Sequence, residues 1–427
     1  MKLLERYVKL SKERFLHEGN YLSDSDFEKI YSHRINSVSA LKTELYPLLT
    51  NKQKIQSNQY PIFLIFTRKL VERMEYLRRN SDTIRRIATR VPRIAQDQFK
   101  NSLLLDEITY TNRIEGVQTN EYEISTLINQ ATSKKVEKKQ KEYRLKSSVR
   151  LYIETQNKGF IKIQELNDFR KIYDQLLDGE ISEEKLPNGK IFRDVLPHNV
   201  LRIGTATETV HQPPVTEEEI SRALNSLIMF MNNESIPAII RALITHFFFE
   251  NTHPFLDGNG RMGRFLLSTY LSRKYDSFTG LSVSTAIHER QQSYYRIFKE
   301  ADQTENRAEL TFFIEDFLKI LLEQQEHVIE VLTDDDQKLS EMYKKIKKIA
   351  TSFEDKEAAG SILFLLAQSK LFTVNTQLGI KDSEIIRINS ENKISMNRSR
   401  RMIDLLEEKK LIEKISSRPK QHILNYQ

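Results

Sequence analysis

Apolar residues recur at helical spacing along most of the chain. The pattern is clearest in Ser102–Gly116 and in two apolar runs, Ile236–Glu250 and Phe265–Leu271, which lie on either side of a glycine-rich loop. Only 12 glycines and 10 prolines interrupt the 427 residues. The pattern therefore predicts a mainly α-helical protein.

Breaks in this pattern divide the chain into three predicted domains. A helical region covers residues 1–95 and ends near Pro92, because proline restricts the residue before it. A central domain covers residues 96–330. A final domain covers residues 335–427 and follows the acidic triplet Asp334–Asp336, which we interpret as a linker.

Two stretches of the central domain depart from the helical pattern. Pro187–Arg193 combines a turn signal with a short apolar run, and Val200–Pro214 is rich in β-branched residues, glycine and proline. Thr216, followed by three glutamates, is typical of a helix N-cap. We therefore expect a small β-structure inserted among helices.

The final domain combines predicted helices with two predicted strands. The helices are placed around Ser361–Leu366, Leu378–Ile380 and Arg400–Ile412. The strands are placed at Ile412–Ile415 and Gln421–Tyr426. This order resembles a winged helix-turn-helix in which Lys381–Asn397 is an insertion into the usual spacing.

Composition and charge narrow the chemistry. The chain has no cysteine, which excludes disulfides, thiolate catalysis and a cysteine-based zinc site. The N-terminus has no apolar signal segment, and runs such as Pro61–Phe66 are too short to span a bilayer, so we expect a cytoplasmic protein without a membrane partner. The net charge of +7 permits nucleic acid or ATP as a partner without requiring either.

The twelve residues His253–Arg264, HPFLDGNGRMGR, concentrate the polar chemistry. His253 can take up a proton near neutral pH, and Asp257 is an oxygen ligand suited to Mg²⁺ that carries phosphates. The rest of the loop can bind anions, because glycines allow close backbone approach and a helix N-terminus favours negative charge. The residues assigned to this anion site are Gly258, Asn259, Gly260, Arg261 and Arg264. This set fits attack by a hydroxyl on a metal-bound nucleotide phosphate.

This loop resembles the signature of Fic-domain proteins, H-x-F-x-[D/E]-G-N-G-R-x-x-R, with every fixed position filled. The resemblance extends over about residues 100 to 325. It implies a Fic-type helical bundle that transfers AMP from ATP to a Tyr, Thr or Ser hydroxyl of a target protein. It implies His253 as the general base and Asp257 as the Mg²⁺ ligand. It also implies an α-phosphate anion hole at Gly258–Gly260, with Arg261 and Arg264 holding the β and γ phosphates.

The resemblance assigns further residues to target and nucleotide. It implies a β-hairpin flap that holds the target by strand addition, formed by Val200, Ile203, Gly204 and Thr205. Tyr294 and Tyr295 match a Tyr-Tyr pair near the adenine, although their spacing alone favours a core position. Asp302 stands where relatives often have an asparagine near the ribose.

An upstream segment resembles the inhibitory motif of the same family, [S/T]-x-x-x-E-[G/N]. It is Thr111–Gly116, at the end of a predicted inhibitory helix over about residues 102–116 that Gly116 caps. Glu115 would lie in the last turn, where the helix dipole disfavours an acid and a cationic partner is needed. The resemblance implies a salt bridge from Glu115 to Arg264 that removes the γ-phosphate ligand and restrains the enzyme.

Alternatives remain open from the sequence. Phosphorylation ranks low because Gly258 and Gly260 are present, whereas removal of AMP by the same site is a full alternative. A DNA-binding regulator with a nucleotide-sensing site is another, with Asn397–Arg401 as a candidate recognition segment, although the final domain could equally bind protein. The target, self-AMPylation and a homodimer are also left open.

Overall fold

The computed structural model describes residues 7–14, 22–51, 56–132, 144–159, 161–195, 203–204, 209–372 and 379–425. Within these ranges the protein is mainly α-helical, with small antiparallel sheets, as the sequence predicts. None of the described helices is long and apolar enough to cross a membrane.

The helices α1 to α17 are, in chain order, Leu10–Glu13, Asp24–Ile35, Arg68–Ala88, Arg93–Ile114, Glu121–Thr132, Lys146–Lys158, Leu166–Leu176, Glu217–Met231, Ala238–Thr252, Asn259–Lys274, Ser277–Gly280, Val283–Glu289, Gln291–Ala301, Thr311–Ala350, Lys356–Leu371, Asp382–Glu391 and Met396–Glu408. The strands β1 to β9 are Ala40–Lys42, Leu49–Thr50, Gln56–Ser57, Phe63–Ile65, Ile203–Gly204, Thr209–His211, Ile380–Lys381, Ile412–Ser417 and Lys420–Leu424.

The chain divides into two compact units, which differ from the three predicted domains. One comprises residues 1–79 and 106–324, and the other comprises residues 80–105 and 325–427. Helices α3, α4 and α14 each run through a division point. The acidic triplet Asp334–Asp336, interpreted as a linker, lies inside α14, because flanking apolar residues such as Leu332 and Leu339 remain at helical spacing and are buried.

The first unit is built around α9, which packs against α8 and α10. Almost every residue of α9 is buried, which explains why its sequence is a nearly continuous apolar run rather than an amphipathic pattern. Helix α8 begins as predicted, because the Thr216 hydroxyl accepts the Glu219 N–H and the Glu219 carboxylate reaches back to the Thr216 N–H. These helices fix the ends of the loop His253–Gly258.

The prediction of an all-helical N-terminal region was wrong in part. Strands β1 and β4 pair antiparallel with Ala40 opposite Ile65, and β2 pairs with β3. The apolar run Pro61–Phe66 therefore supplies a buried strand, since a short apolar run without further periodicity fits either element and tertiary pairing decides.

The second unit contains α15, α16 and α17 and a sheet with strand order β7–β9–β8. The two predicted wing strands form β8 and β9, which pair antiparallel. The predicted second helix was misplaced: Ile380 begins strand β7, and the helix is α16, inside the segment interpreted as an insertion. Strand β7 runs directly into α16, which begins at Asp382.

A buried imidazole joins this sheet to two helices. His422 on β9 is fully buried, with Nδ1 2.6 Å from Asp382 Oδ1 and Nε2 3.2 Å from Glu407 Oε2. Burial would lower the pKa of His422, but the two carboxylates together raise it above its ordinary value. Lys420 lies beside the same cluster: its Nζ is 3.4 Å from the Glu407 carboxylate and 3.1 Å from the carboxylate of Asp404 on α17.

We therefore expect the stability supplied by His422 to be complete below its unfolded pKa of about 6.5 and to be lost as the pH rises through the higher folded pKa. His422→Ala should cost about 2 kcal/mol of unfolding free energy near pH 6, and less near pH 9. Calorimetric unfolding of the full chain at both pH values measures this, with the exposed His33→Ala as the control. An equal cost at both pH values would contradict the charge-based account.

Candidate active site

His253 lies where helix α9 ends and the glycine-rich loop begins. It adopts a left-handed backbone conformation, with φ of 48°, and its N–H donates to Phe249 O at 2.9 Å. The side chain is partly exposed. The ring is also partly buried, and this burial, followed by the nearby Arg193 and His211, lowers the pKa of His253 to about 3. The imidazole is therefore neutral at neutral pH and able to accept a proton.

Arg193 fixes the backbone around His253. Its Nε donates to His253 O at 2.7 Å and its Nη2 donates to Thr252 O at 3.3 Å. Its own N–H donates to Pro254 O at 3.0 Å. Burial lowers the pKa of Arg193 to about 10, so the guanidinium remains charged at neutral pH. Arg193 lies within the part of the sequence that resembles Fic-domain proteins, but no feature of the sequence predicted this role.

The loop then turns into helix α10, which begins at Asn259. Asn259 Oδ1 accepts the Phe255 N–H at 2.9 Å and Asn259 Nδ2 donates to Phe255 O at 2.8 Å. The amide of Asn259 thus holds the loop. Gly258 has φ of +81°, and a Cβ there would lie 2.3 Å from Leu177 Cδ1, so only glycine fits. The first N–H groups of α10 have no intrahelical acceptor and can bind an anion.

Arg264 is held by Thr111 and Glu115 through three hydrogen bonds. Its Nε donates to Thr111 Oγ1 at 2.9 Å, and its Nη2 donates to Thr111 O at 2.9 Å and to Glu115 Oε1 at 2.8 Å. The Arg264 side chain is 2% exposed, whereas that of Glu115 is 30% exposed. Burial would lower the pKa of Arg264, but Glu115 and the other nearby acids raise it, so the guanidinium stays charged. The contact between Glu115 and Arg264 is the one that the family resemblance implies, although the two residues lie 149 positions apart in the chain.

The Glu115 carboxylate lies against the first turn of α10. A Cβ added to Gly260 would lie 2.1 Å from Glu115 Oε1 and 2.9 Å from Arg264 Nη1. Glycine at 260 is therefore required for the carboxylate to reach this position. The carboxylate lies at a helix N-terminus, which is the place where an anionic ligand would bind. Gly116 has φ of +71°, the left-handed conformation that the sequence predicts for the C-cap of this helix.

The two loop arginines do not point the same way. Arg261 Nη1 donates to Glu180 Oε2 at 3.0 Å, and both side chains are almost fully buried. Arg261 Nη2 is 3.4 Å from Asp257 Oδ1. The expected pair of phosphate-binding arginines is thus separated, because each guanidinium is bound by its own carboxylate. Nothing in the sequence pointed to Glu180, since it lies 81 positions before Arg261.

Asp257 is the carboxylate best placed for a metal ion. It accepts from Lys185 Nζ at 3.0 Å and keeps 32% of its side chain exposed. Burial would raise the pKa of Asp257, but Lys185 and Arg261 together lower it, so the group is ionised. Within the described residues no cluster of three or more His, Cys, Asp or Glu side chains could hold a metal ion. One accessible carboxylate fits Mg²⁺ that is held mainly by phosphates and water.

The expected adenine and ribose residues separate into core and surface positions. Tyr294 is buried, its hydroxyl is 3.0 Å from His246 Nε2, and its ring packs on Phe298 with centroids 4.9 Å apart. Tyr295 is 49% exposed and can contact a ligand. Asp302 is buried and accepts the Asn251 amide at 2.9 Å. Spacing alone favoured a core position for such a pair, and Tyr294 occupies one.

The flap is described only in part. Ile203 and Gly204 form β5, which pairs antiparallel with β6 and contains an irregular register. Val200 and Thr205 lie outside the described residues. The site therefore brings together Thr111 and Glu115, the loop and α10. The role of the flap stays a prediction, and so does the inhibitory role of Glu115.

These features define a mainly α-helical protein with a histidine and an anion-binding helix N-terminus in one loop. Residues 163–271 match the model of the Fic/DOC family, so the chain contains a Fic domain, as its loop signature predicts. The matched region includes the whole loop from His253 to Arg264.

Three comparisons with known proteins found similar chains, and the curated relative matches over only a small part of its own length. The chain is 40% identical over 63 residues to protein adenylyltransferase fic-1 of Caenorhabditis elegans, which is 14% of this chain and 12% of that protein. A crystal structure of a Fic family protein from Desulfovibrio desulfuricans G20 has 18% identity and a TM-score of 0.47, and the match covers 85% of this chain and 97% of that chain. A structure of C. elegans Fic-1, residues 134–508, has 18% identity and a TM-score of 0.40, and covers 62% of this chain and 74% of that chain.

Proposed function

We propose that this protein is an ATP-dependent protein adenylyltransferase that its own residues 111–115 hold in an inhibited state. The observation that carries the proposal is the Glu115 carboxylate at the N-terminus of α10, bonded to Arg264 at 2.8 Å. An acid in the anion site of a Fic loop competes with a nucleotide phosphate for the same N–H groups and the same guanidinium. The adenylyltransferase name of the C. elegans relative supports the reaction class.

Several residues of the loop have a role in this proposal. The neutral imidazole of His253 accepts the proton of the target hydroxyl as oxygen attacks the α-phosphorus and pyrophosphate leaves. The free N–H groups at the start of α10 stabilise the charge on the α-phosphate, while Arg264, once released, binds the terminal phosphates. Asp257 would hold Mg²⁺, which neutralises phosphate charge when bound. Arg193 and Asn259 keep the loop in one conformation.

The experiment is mass spectrometry of the Glu115→Gly protein after incubation with ATP, alone and with a cell lysate. We expect the added mass of one AMP on a Tyr, Thr or Ser hydroxyl. The same spectra identify the acceptor residue and the target. An added phosphate, or no addition to any protein, would contradict the proposal.

A second candidate function is DNA binding by the final domain predicted from the sequence, residues 335–427. The geometry of α16 and α17 favours it. A four-residue turn, Asn392–Ser395, joins these helices, with Lys393 at φ of 65° and Ile394 buried. Asn389 on α16 joins this helix to α15 and α17, bonding Ser361 at 2.7 Å and Ser399 at 3.0 Å. Such an arrangement presents the second helix of a helix-turn-helix to a DNA groove.

The exposed face of α17 has the side chains for this role. Asn397, Arg400 and Arg401 are exposed near its N-terminus, and Asn and Arg are the side chains that read adenine and guanine edges. Arg398, part of the same predicted segment, is bound to Asp355 through two 2.8 Å hydrogen bonds and so holds α17 in place. Arg418, exposed at the β8–β9 turn, adds a further cation.

We expect the full-length protein to bind short random-sequence duplex DNA with an affinity that falls as salt rises. Arg400→Ala and Arg401→Ala should each reduce the salt slope by about 1 and the affinity roughly fivefold. Fluorescence anisotropy measures both. Arg387→Ala is the matched control, because Arg387 is exposed on α16 but paired with Glu384 at 2.6 Å. Salt-independent binding, or an equal effect of all three variants, would contradict this candidate function.

A further inference from the structure

The inhibitory helix presents one polar stripe to the catalytic helices. Glu107, Thr111 and Glu115 follow one another at intervals of four residues, so they lie on the same face of α4 and its C-terminal turn. Thr111 and Glu115 bind Arg264. Glu107 lies about 6 Å from Thr111 and about 12 Å from Glu115 along the helix axis. The function proposed above makes no use of Glu107.

Glu107 is a fully buried carboxyl group with its own set of donors. The Ser284 N–H donates to its Oε2 at 2.7 Å and the Ser284 hydroxyl donates to its Oε1 at 2.8 Å. The Tyr152 hydroxyl is 3.4 Å from Oε1. Ser284 lies in the first turn of α12 and Tyr152 lies on α6, so one side chain joins the inhibitory helix to both α12 and α6.

The burial of Glu107 contrasts with that of Glu115. Glu107 is 0% exposed, whereas the Glu115 side chain is 30% exposed. A polar contact that is shielded from water is costlier to break than one at the edge of solvent. Burial raises the pKa of Glu107 to about 7, while Ser284 and Arg264 oppose that rise. Burying a carboxyl group between helices costs free energy, and the two hydrogen bonds from Ser284 offset part of that cost.

We infer that Glu107 is a positioning residue for autoinhibition: by binding Ser284 it holds the helix where Thr111 and Glu115 reach Arg264. The inference rests on the proposed function and deepens it, since it separates the group that blocks the anion site from the group that holds the helix in place. Loss of Glu107 would release Thr111 and Glu115 together. Loss of Glu115 removes one bond and leaves the helix in position.

The test measures self-labelling with ATP in two backgrounds. Glu107→Ala should raise labelling about tenfold in the otherwise wild-type protein and should not raise it further in the Glu115→Gly protein. Glu107→Gln should label nearly as little as wild type, because its amide oxygen still accepts the Ser284 N–H. Ser284→Ala, which removes only the hydroxyl, is the milder second variant and should raise labelling a few fold.

Asp106→Asn is the matched control, because Asp106 is the adjacent acid on the same helix and its charged neighbours are Arg113 and Glu121 rather than Arg264. A purely structural role for Glu107 predicts lower labelling in both backgrounds, and that result would overturn the inference. So would folded Glu107→Ala and Ser284→Ala proteins that label no more than wild type.

Amide hydrogen exchange separates this inference from the proposed function, since it needs no activity. We expect residues 106–116 to exchange faster in Glu107→Ala than in wild type or Asp106→Asn. If even Glu115→Gly fails to label any protein, the proposed transferase function fails and the exchange result alone decides the role of Glu107. Unchanged exchange in Glu107→Ala would overturn the inference.

Discussion

Glu115→Gly should raise self-labelling with ATP by about 10- to 100-fold over the wild-type protein. The structure gives the reason: the Glu115 carboxylate binds Arg264 at 2.8 Å and lies against the first turn of α10. A hydrogen bond between charged groups contributes about 1.5–3 kcal/mol, and 1.4 kcal/mol corresponds to a factor of ten. Removing the carboxylate makes the N–H groups at the start of α10 accessible to a phosphate. It also leaves one N–H donor of the Arg264 guanidinium without its acceptor.

The measurement is the initial rate of AMP incorporation from labelled ATP, at equal protein concentration. Glu121→Gln is the matched control, because Glu121 is an exposed acid near the same segment and pairs with Arg113 rather than Arg264. The control should label as weakly as wild type. Equal rates for wild type and Glu115→Gly would remove the claim of autoinhibition while leaving the transferase proposal intact.

His253→Ala, made in the Glu115→Gly protein, should lower the rate of labelling at least 10²-fold, the usual loss when a general base is removed. His253 is the loop imidazole, and its low pKa keeps it neutral and able to accept a proton. ATP binding should remain, since the residues assigned to phosphate binding, the start of α10 and Arg264, are untouched. The separation of binding from rate distinguishes a base from a ligand-binding residue.

Labelling assays and calorimetric titration with ATP check this result together. His33→Ala is the control, because His33 is exposed in the last turn of α2, outside the site. Full labelling by His253→Ala would exclude the base assignment. Loss of ATP binding in parallel with loss of labelling would instead indicate that His253 shapes the loop, where its left-handed backbone could favour particular residues.

The sequence determined the helical class, because a 3.6-residue period is visible without any knowledge of partners. It also identified the loop His253–Arg264, since short-range spacing of a histidine, an acid, glycines and arginines already specifies an anion site. The Glu115–Arg264 pair came from two motifs that resemble one family, and the structure places the two side chains in contact. Glu107 could have been found by the same four-residue spacing that joins Thr111 to Glu115.

Only the tertiary structure decided which partner each polar side chain binds and which side chains are exposed. Arg261 and Arg264 are three residues apart in sequence, yet one binds Glu180 and the other binds Thr111 and Glu115. Tyr294 is buried and its neighbour Tyr295 is exposed, although the sequence treats them alike. The helix predicted at Leu378–Ile380 was wrong, because the conformation of so short a segment depends on pairing with distant residues. Here Ile380 pairs with His422 and forms strand β7. Local periodicity specifies helices, whereas the partner of each buried charge depends on contacts between residues far apart in the chain.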